Sequence, residues 1–346
     1  MTIALDGMGG DLAPASTVEG ALRAHRARGL EVLLVGDEER LRAELRRLGA
    51  GPSELRIHHA SQVVEMDEHP GQALRRKKDS SIRVCFDLCK AGQVRGMVSA
   101  GNSGAVLAGG LFVMGRLDHV DRPCIGGSLP SLGGAGRAVL VDMGANVEVT
   151  PLQLVQFALM GEVYARRVLG VAKPRVGVVA NGEEEEKGTE LTRSAAAALR
   201  RPESGVHFSG YVEGKDVFGG EFDVIATDGF TGNVLLKTAE GAVWAFGQLL
   251  RRQIQSSPIA TAAALLMRSA LEQVKKRVDY EEVGGAPLLG IHGVGVIAHG
   301  RSSARAIENA LSGAEAFAAQ RLDEDLAAAA RRGAQLFVPG GGTQDA

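Results

Sequence analysis

Apolar residues fall along this chain in short runs separated by stretches with helical spacing, and the alternation repeats from end to end. Residues 3–5, 32–35, 56–58, 96–99, 124–129, 138–141, 176–180, 206–209, 222–227 and 294–298 read as strands: they are short, mostly rich in Val, Ile and Leu, and many are bounded by Gly, Asp or Asn. The intervening stretches 14–28, 38–47, 81–89, 103–114, 151–169 and 191–199 read as helices. In one of them Ile82, Cys85, Phe86 and Cys89 follow the three-and-four spacing of a buried face. Residues 103–114 are apolar all round, as in a fully buried helix. A last helix spans 303–330. Such alternation predicts a mostly parallel sheet covered by helices on both faces, a three-layer α/β/α sandwich, with 124–129 and 138–141 paired as a local hairpin across Gly133–Gly136. Residues 1–334 read as one domain and 335–346 as a flexible tail. One stretch breaks the pattern: 234–254 and 258–278 are consecutive long helices with no strand between them, which predicts a projecting helical hairpin.

The breaks after six strands share a form. They read Asp6-Gly7-Met8-Gly9-Gly10-Asp11, Ala100-Gly101-Asn102-Ser103-Gly104, Asp142-Met143-Gly144-Ala145-Asn146, Asn181-Gly182 leading to Lys187-Gly188, Asp228-Gly229-Phe230-Thr231-Gly232-Asn233, and His299-Gly300-Arg301-Ser302-Ser303. Each is a small polar turn from a strand into a helix. In a parallel sheet ligands bind outside the carboxyl ends of the strands. Helix N-termini there present free N–H groups and the positive end of the dipole, which suits an anion. Any one turn also fits ordinary helix capping. Six at one sheet edge are expected to form a site.

Composition sharpens this. Glycine supplies 47 of 346 residues, about twice the usual share of roughly 7%, so many backbone turns must pack closely or approach a ligand. Formal net charge is −2 and hydrophobic residues make up 45%, which excludes disorder. Ten Phe, three Tyr and one Trp offer little for stacking bases, so nucleic acid is not an expected partner. Cys85, Cys89 and Cys124 form no paired framework, and they read as buried small side chains in a reducing compartment. The N-terminus has no basic segment leading into an apolar run, and the longest apolar run, 258–267, is too short to span a bilayer. A cytoplasmic protein, or one peripheral to a membrane, is expected.

Nucleotide motifs do not match. Leu12 stands where Gly-x-Gly-x-x-Gly needs its third glycine, and Lys187-Gly188-Thr189 inverts the P-loop order behind four glutamates. No Gly-x-Ser-x-Gly elbow is present, and Ser103 reads as a helix cap. His69, His292 and His299 lie in loops, with His299 best placed. Asp, Asn, Ser, Thr and Lys187 remain, a set suited to holding an oxyanion and polarising a carbonyl. Glu183–Glu186 read as a solvated run at a helix start.

The turns just quoted, together with Arg75-Arg76-Lys77-Lys78-Asp79-Ser80-Ser81, Asp121-Arg122-Pro123 and Gly284-Gly285-Ala286, resemble the phosphate acyltransferases of bacterial phospholipid synthesis. The resemblance covers residues 2 to about 330. Gly7, Ser103 and Met143 replace the usual alanine, threonine and valine, and Asn181 stands one place later than in many members. The resemblance implies an α/β/α fold similar to phosphotransacetylases and isopropylmalate dehydrogenases, a homodimer, and no metal or cofactor. It implies transfer of an acyl group from acyl carrier protein to inorganic phosphate. The resulting acyl phosphate would pass to a glycerol-3-phosphate acyltransferase. Lys187 and Asn233 are then expected to hold phosphate and the developing charge, and His299 to protonate the leaving thiolate. Gly9, Gly10, Asn102, Ser103, Gly104, Asn146, Thr231 and Gly232 are expected to line the substrate site, with Asp6, Asp142 and Asp228 orienting the turns. A dehydrogenase of the isopropylmalate type and a non-catalytic membrane scaffold are the rival readings.

Two surface features stay open at this level. The second hairpin helix carries Leu265, Leu266 and Met267 and ends in Lys275-Lys276-Arg277. It reads either as dimer packing or as a peripheral foot on an anionic membrane face. Arg75–Lys78 reads either as a solvated patch or as a docking site for the acidic carrier protein.

Overall fold

A computed structural model describes residues 1–278 and 284–338. Its elements are β1 (Thr2–Asp6), α1 (Ala15–Arg28), β2 (Glu31–Gly36), α2 (Glu38–Arg47), β3 (Arg56–His59), α3 (Pro70–Arg76), α4 (Ser81–Lys90), β4 (Gly96–Ser99) and α5 (Ser103–Gly109). They continue with β5 (Cys124–Pro130), β6 (Arg137–Val141), α6 (Pro151–Arg167), β7 (Arg175–Val179), α7 (Glu190–Leu199), β8 (His207–Val212) and β9 (Val224–Ala226). The chain ends in α8 (Gly229–Gln255), α9 (Pro258–Leu266), α10 (Arg268–Val278), β10 (Ala286–Leu289), β11 (Val294–Ile297), α11 (Ala304–Gln320) and α12 (Asp323–Gln335). The strands form one sheet in the order β3-β2-β1-β4-β11-β10-β5-β6-β9-β7-β8. Alternate residues feed its two faces. Ile3 and Leu5 join the core under α1, α6, α7, α11 and α12, while Ala4 joins the core under α3, α4 and α5. Beyond β5, Leu140 and Ile225 pack with Phe222 and with Leu235 and Leu236 of α8. The α/β fold read from the sequence is therefore present.

All strand pairs are parallel except β10–β11, β10–β5 and β5–β6. Three successive reversals divide the sheet into two parallel blocks that run in opposite directions. Ala286 stands opposite Ile297, and Leu289 opposite Cys124. From Gly126 onward β5 pairs instead with β6, Gly126 facing Val141. The end of β6 thus lies level with the end of β11 but points the other way. Ser99 of β4 is level with Ile297, and Ala226 of β9 with Val141. So the carboxyl ends of the two blocks face each other, about 14 Å apart at three strand spacings. The single parallel edge expected from the sequence is replaced by two opposed edges meeting at one cleft. The reversals on either side of β10 cancel, and the β5–β6 hairpin turns the second block round; β10 itself, four residues long with Pro287 inside it, carries no readable strand pattern.

Other differences have local causes. Asp228 accepts from the Thr231 N–H at 2.8 Å and starts α8 at Gly229, five residues before the expected position. Residues 258–278 form two helices that meet at Met267, and the helix expected at 303–330 breaks at Arg321, whose φ is +50°. The helix over 103–114 is regular only to Gly109, finishes in a wider turn over Gly110–Met114, and is not buried all round as expected: Phe112 is 78% exposed. Helix α3 was not expected; only two residues in it, Ala73 and Leu74, are buried. Helix α12 reaches Gln335 and Leu336 is buried, so these two residues belong to the fold rather than to a tail. Residues 339–346 lie outside the described residues.

Candidate active site

The turns of the first block pack on one another through a buried carboxylate. Asp6, 2% exposed, accepts from Ser99 Oγ at 2.7 Å and from the Met8 N–H at 3.2 Å. Burial raises its pKa, and hydrogen bonds from Ser81, Ser99, Met8 and Gly9 pull it back. A side chain at Gly9 would collide with Asp6 Oδ2 and with the Gly101 nitrogen, and Gly10 has φ +105° with the Gly300 carbonyl 3.0 Å from where a Cβ would stand. These two glycines let the turns after β1, β4 and β11 touch.

Asn102 is committed as well. Its Oδ1 accepts from the Ala105 N–H at 3.0 Å and caps α5, the role the sequence suggested for Ser103. Its Nδ2 faces the carbonyls of Glu65, Met66 and Glu68 at 3.2, 3.2 and 3.0 Å. Two hydrogens serve three acceptors, so Asn102 holds the 65–68 loop rather than offering a donor to a ligand. Gly104 lies beneath Pro70 at the start of α3. Ser103 is exposed, and its hydroxyl has no partner among the described residues.

The second block repeats the device. Asp142 is fully buried, and its carboxylate accepts from the N–H groups of Ile125 (3.0 Å), Gly144 (3.2 Å), Ala145 (3.0 Å) and Asn146 (2.7 Å) and from Asn146 Nδ2 (2.9 Å). Burial is the largest influence on its pKa and raises it against these bonds. Asn146 also donates to the Pro123 carbonyl at 2.9 Å, so its amide is spent on structure. Thr231 Oγ1 donates to Asp228 at 2.7 Å. Gly232 presses against the Asp142 carbonyl, where no side chain fits. The expectation that the three aspartates orient turns thus extends to Asn102, Asn146 and Thr231.

Asn233 and Lys187 differ from that group. The Asn233 side chain stands over Gly144, is exposed, and makes no hydrogen bond among the described residues. Lys187 is exposed in the turn after β7, two strands from β6, and its ammonium has no ion pair among the described residues. Asn181 Oδ1 accepts from the Gly188 N–H at 2.8 Å and fixes that turn. Within the glutamate run, Glu183 pairs with Lys215 (2.7 Å) and Glu185 with Arg200 (3.3 Å). No hydrogen bond joins Lys187 to Asn233 among the described residues. Glu183, Glu213 and Asp216 come within ligand distance of one another, but Lys215 bridges the first two, so they form a surface ion-pair cluster.

His299 ends the first block and meets the second. Lys237 Nζ lies 3.4 Å from His299 Nε2 and 2.8 Å from Glu240 Oε2, and Nδ1 of the ring accepts from the Arg301 N–H at 3.2 Å. Burial, and then Lys237, lower the imidazole pKa below its usual 6.5. A ring with a lowered pKa carries its second proton less often, which disfavours the expected role as acid toward a thiolate. Lys237 was missed in the sequence, although it stands four residues after Asn233 and so on the same helix face. Two half-open hollows elsewhere, about 200 Å³ beside Tyr164 and Phe317 and about 680 Å³ beside Arg166 and Arg332, are lined by none of these turn residues. The candidate site is an open cleft between turns.

The hairpin lies outside the core. Trp244, Phe246 and Leu249 of α8 are exposed by 60% or more, and Leu266, at the α9–α10 junction, by 90%. Leu265 and Met267 beside it are exposed too. No described helix is long and apolar enough to cross a membrane.

Comparison with known proteins agrees with this architecture. The model of the fatty acid synthesis protein family matches residues 1–324. A phosphate acyltransferase of Anaeromyxobacter sp. (strain Fw109-5) is 56% identical over 328 residues, 94% of this chain and 90% of that protein. One from Myxococcus xanthus is 54% identical over 329 residues, 94% of this chain and 92% of that protein. Among solved structures, a phosphotransacetylase from Streptococcus pyogenes superposes with a TM-score of 0.56 at 18% identity, covering 92% of this chain and 94% of that one. A 4-hydroxythreonine-4-phosphate dehydrogenase from Klebsiella pneumoniae gives 0.52 at 16% identity, covering 92% and 99%. At such identities the structural likeness speaks for the fold.

Proposed function

The chain belongs to the fatty acid synthesis protein family as a phosphate acyltransferase, and from that membership we propose that it moves a fatty acyl group reversibly from acyl-acyl carrier protein to inorganic phosphate. A phosphate oxygen attacks the thioester carbonyl. The new C–O bond forms, the C–S bond breaks, and the carrier-protein thiolate leaves with the bonding pair and takes a proton from solvent. Phosphate is already a competent nucleophile, so the protein's task is to orient it and stabilise the tetrahedral oxyanion. No cofactor takes part in this scheme.

The observation that carries the reading is the division of labour in the cleft. Asp6, Asn102, Asp142, Asn146, Asp228 and Thr231 spend their polar atoms on the turns. Among the described residues, Lys187 and Asn233, on the second block, keep theirs uncommitted, and Ser103 does so on the first. Lys187 supplies charge to phosphate, and Asn233 donates to the oxyanion. The test is incubation with acyl-acyl carrier protein and labelled phosphate. The intact enzyme should form labelled acyl phosphate, and Lys187→Ala should lower the rate by about 100-fold or more with the fold unchanged.

Val243, Phe246 and Leu250 of α8, spaced to share one helix face, are all exposed, and such an apolar stripe supports a homodimer. The Leu265–Leu266–Met267 tip, followed by Lys275, Lys276 and Arg277, supports peripheral contact with the inner face of the cell membrane. Placement there would deliver the product to a glycerol-3-phosphate acyltransferase.

A further inference from the structure

Helix α8 begins in the second block and reaches the first. Asn233 and Lys237 lie one turn apart on it, and Lys237 Nζ is 3.4 Å from His299 Nε2, in the turn after β11. The pair therefore spans the two opposed strand edges. Glu240, three residues further along α8, holds the ammonium at 2.8 Å. The other ring nitrogen of His299 faces the Arg301 N–H at 3.2 Å. Both nitrogens thus face donors, yet a neutral imidazole offers one lone pair and an imidazolium none. The ring accepts from at most one of them, while the ammonium gives one of its three hydrogens to Glu240. An anion entering the cleft suits this arrangement: its oxygen accepts another hydrogen of the ammonium, and the ring keeps its bond from Arg301. Burial of the ring, which lowers its pKa, favours the same outcome, because a neutral ring does not compete with the ammonium for the anion.

We propose that Lys237 is a catalytic residue that grips the substrate phosphate from across the cleft, with Glu240 aiming its ammonium. The proposal rests on the phosphate-transfer reading given above. It assigns phosphate two cations, Lys187 from the β7 turn and Lys237 from α8, with the Asn233 amide between them in the chain. Phosphate then joins the two blocks, and the thioester carbonyl meets it where both strand edges end.

The test compares the full-length protein with Lys237→Ala, Lys237→Arg and Glu240→Gln. Two readouts are used: steady-state acyl phosphate formation with each substrate varied, and calorimetric titration with inorganic phosphate alone. Lys237→Ala should lower kcat/KM for phosphate about 100-fold, leave KM for acyl carrier protein within about twofold, and abolish phosphate binding in the calorimeter. Lys237→Arg should recover part of the loss, because charge is kept while reach changes. Glu240→Gln should fall between the two. The circular-dichroism unfolding midpoint should not move. Unchanged phosphate binding in Lys237→Ala, or equal losses for both substrates, would overturn the proposal. If the unaltered protein makes no acyl phosphate, the broader reading fails, and the phosphate titration still decides whether Lys237 holds the anion.

Discussion

Replacing Asp142 by alanine removes the acceptor for five donors: the N–H groups of Ile125, Gly144, Ala145 and Asn146 and the Asn146 side-chain amide. A buried donor left unpaired costs about 1–3 kcal/mol. Gly144 is exposed and Ala145 and Asn146 half-buried, so water re-pairs some of these groups. The Ile125 N–H sits in the core and stays orphaned. Loss of a buried charge offsets part of the damage, leaving a net cost of about 3–5 kcal/mol. Asp142→Asn is the informative partner. It keeps an oxygen for Ile125, Gly144 and Ala145 and gives up only the bonds to Asn146. The raised pKa of Asp142 means the folded state tolerates an uncharged side chain here better than water does. A carboxyl whose folded pKa lies above its unfolded value contributes its stability below the unfolded value, near pH 3.8, and loses it as pH rises through the folded one. At neutral pH the ionised form therefore carries a cost that asparagine avoids, and Asn should lose less than half of what Ala loses. Urea unfolding followed by circular dichroism measures both. Tryptophan fluorescence is unsuited, because Trp244 is 69% exposed on α8, far from this turn. An alanine variant as stable as the parent, or an asparagine variant as damaged as the alanine one, would refute the reasoning.

Three further expectations follow from the same contacts. Asn102→Ala should cost about 1–2 kcal/mol through the lost α5 cap and release the 65–68 loop, seen as faster protease cleavage there; an unchanged cleavage rate would contradict the latch. Leu266→Glu with Met267→Glu should release the protein from vesicles rich in anionic lipid without moving its unfolding midpoint; retained binding would assign the tip to packing between copies. Lys187→Ala should leave the unfolding midpoint within about 0.5 kcal/mol of the parent, the range for exposed positions free of special contacts; a larger shift would make Lys187 structural.

What the chain states openly is what local chemistry decides. Strand 138–141 is readable as a short apolar run, and helices 38–47 and 81–89 because their apolar residues keep a helical period, Leu41 and Leu45 in one and Ile82, Cys85, Phe86 and Cys89 in the other. The pairing of β10 is not, because four residues with a proline give no period, and their place depends on Cys124 and Ile297, over a hundred residues apart. The reversals on its two sides cancel and the β5–β6 hairpin makes the third, so six turns that looked like one edge are two edges facing each other. Site residues divide in the same way. Lys187 and Asn233, proposed for phosphate and the oxyanion, were expected from the resemblance that the turn motifs carry. Composition gave the glycines a ligand-facing role, whereas Gly9, Gly10 and Gly232 bring turn against turn. Asn102 and Asn146 looked like ligand donors, since a free amide and a capping amide are identical in a sequence. Lys237 was hidden for the converse reason: its meaning comes from His299, sixty-two residues on.

The central claim is attack by phosphate oxygen on a thioester carbonyl, and isotopic labelling tests it most directly. The protein is incubated with acyl-acyl carrier protein and phosphate carrying heavy oxygen at every position, and the product is read by mass spectrometry. Acyl phosphate that retains all the labelled oxygens, including the one bonded to the acyl carbon, is the expected result. Release of free fatty acid without acyl phosphate, or a product whose bridging oxygen comes from water, would contradict the account.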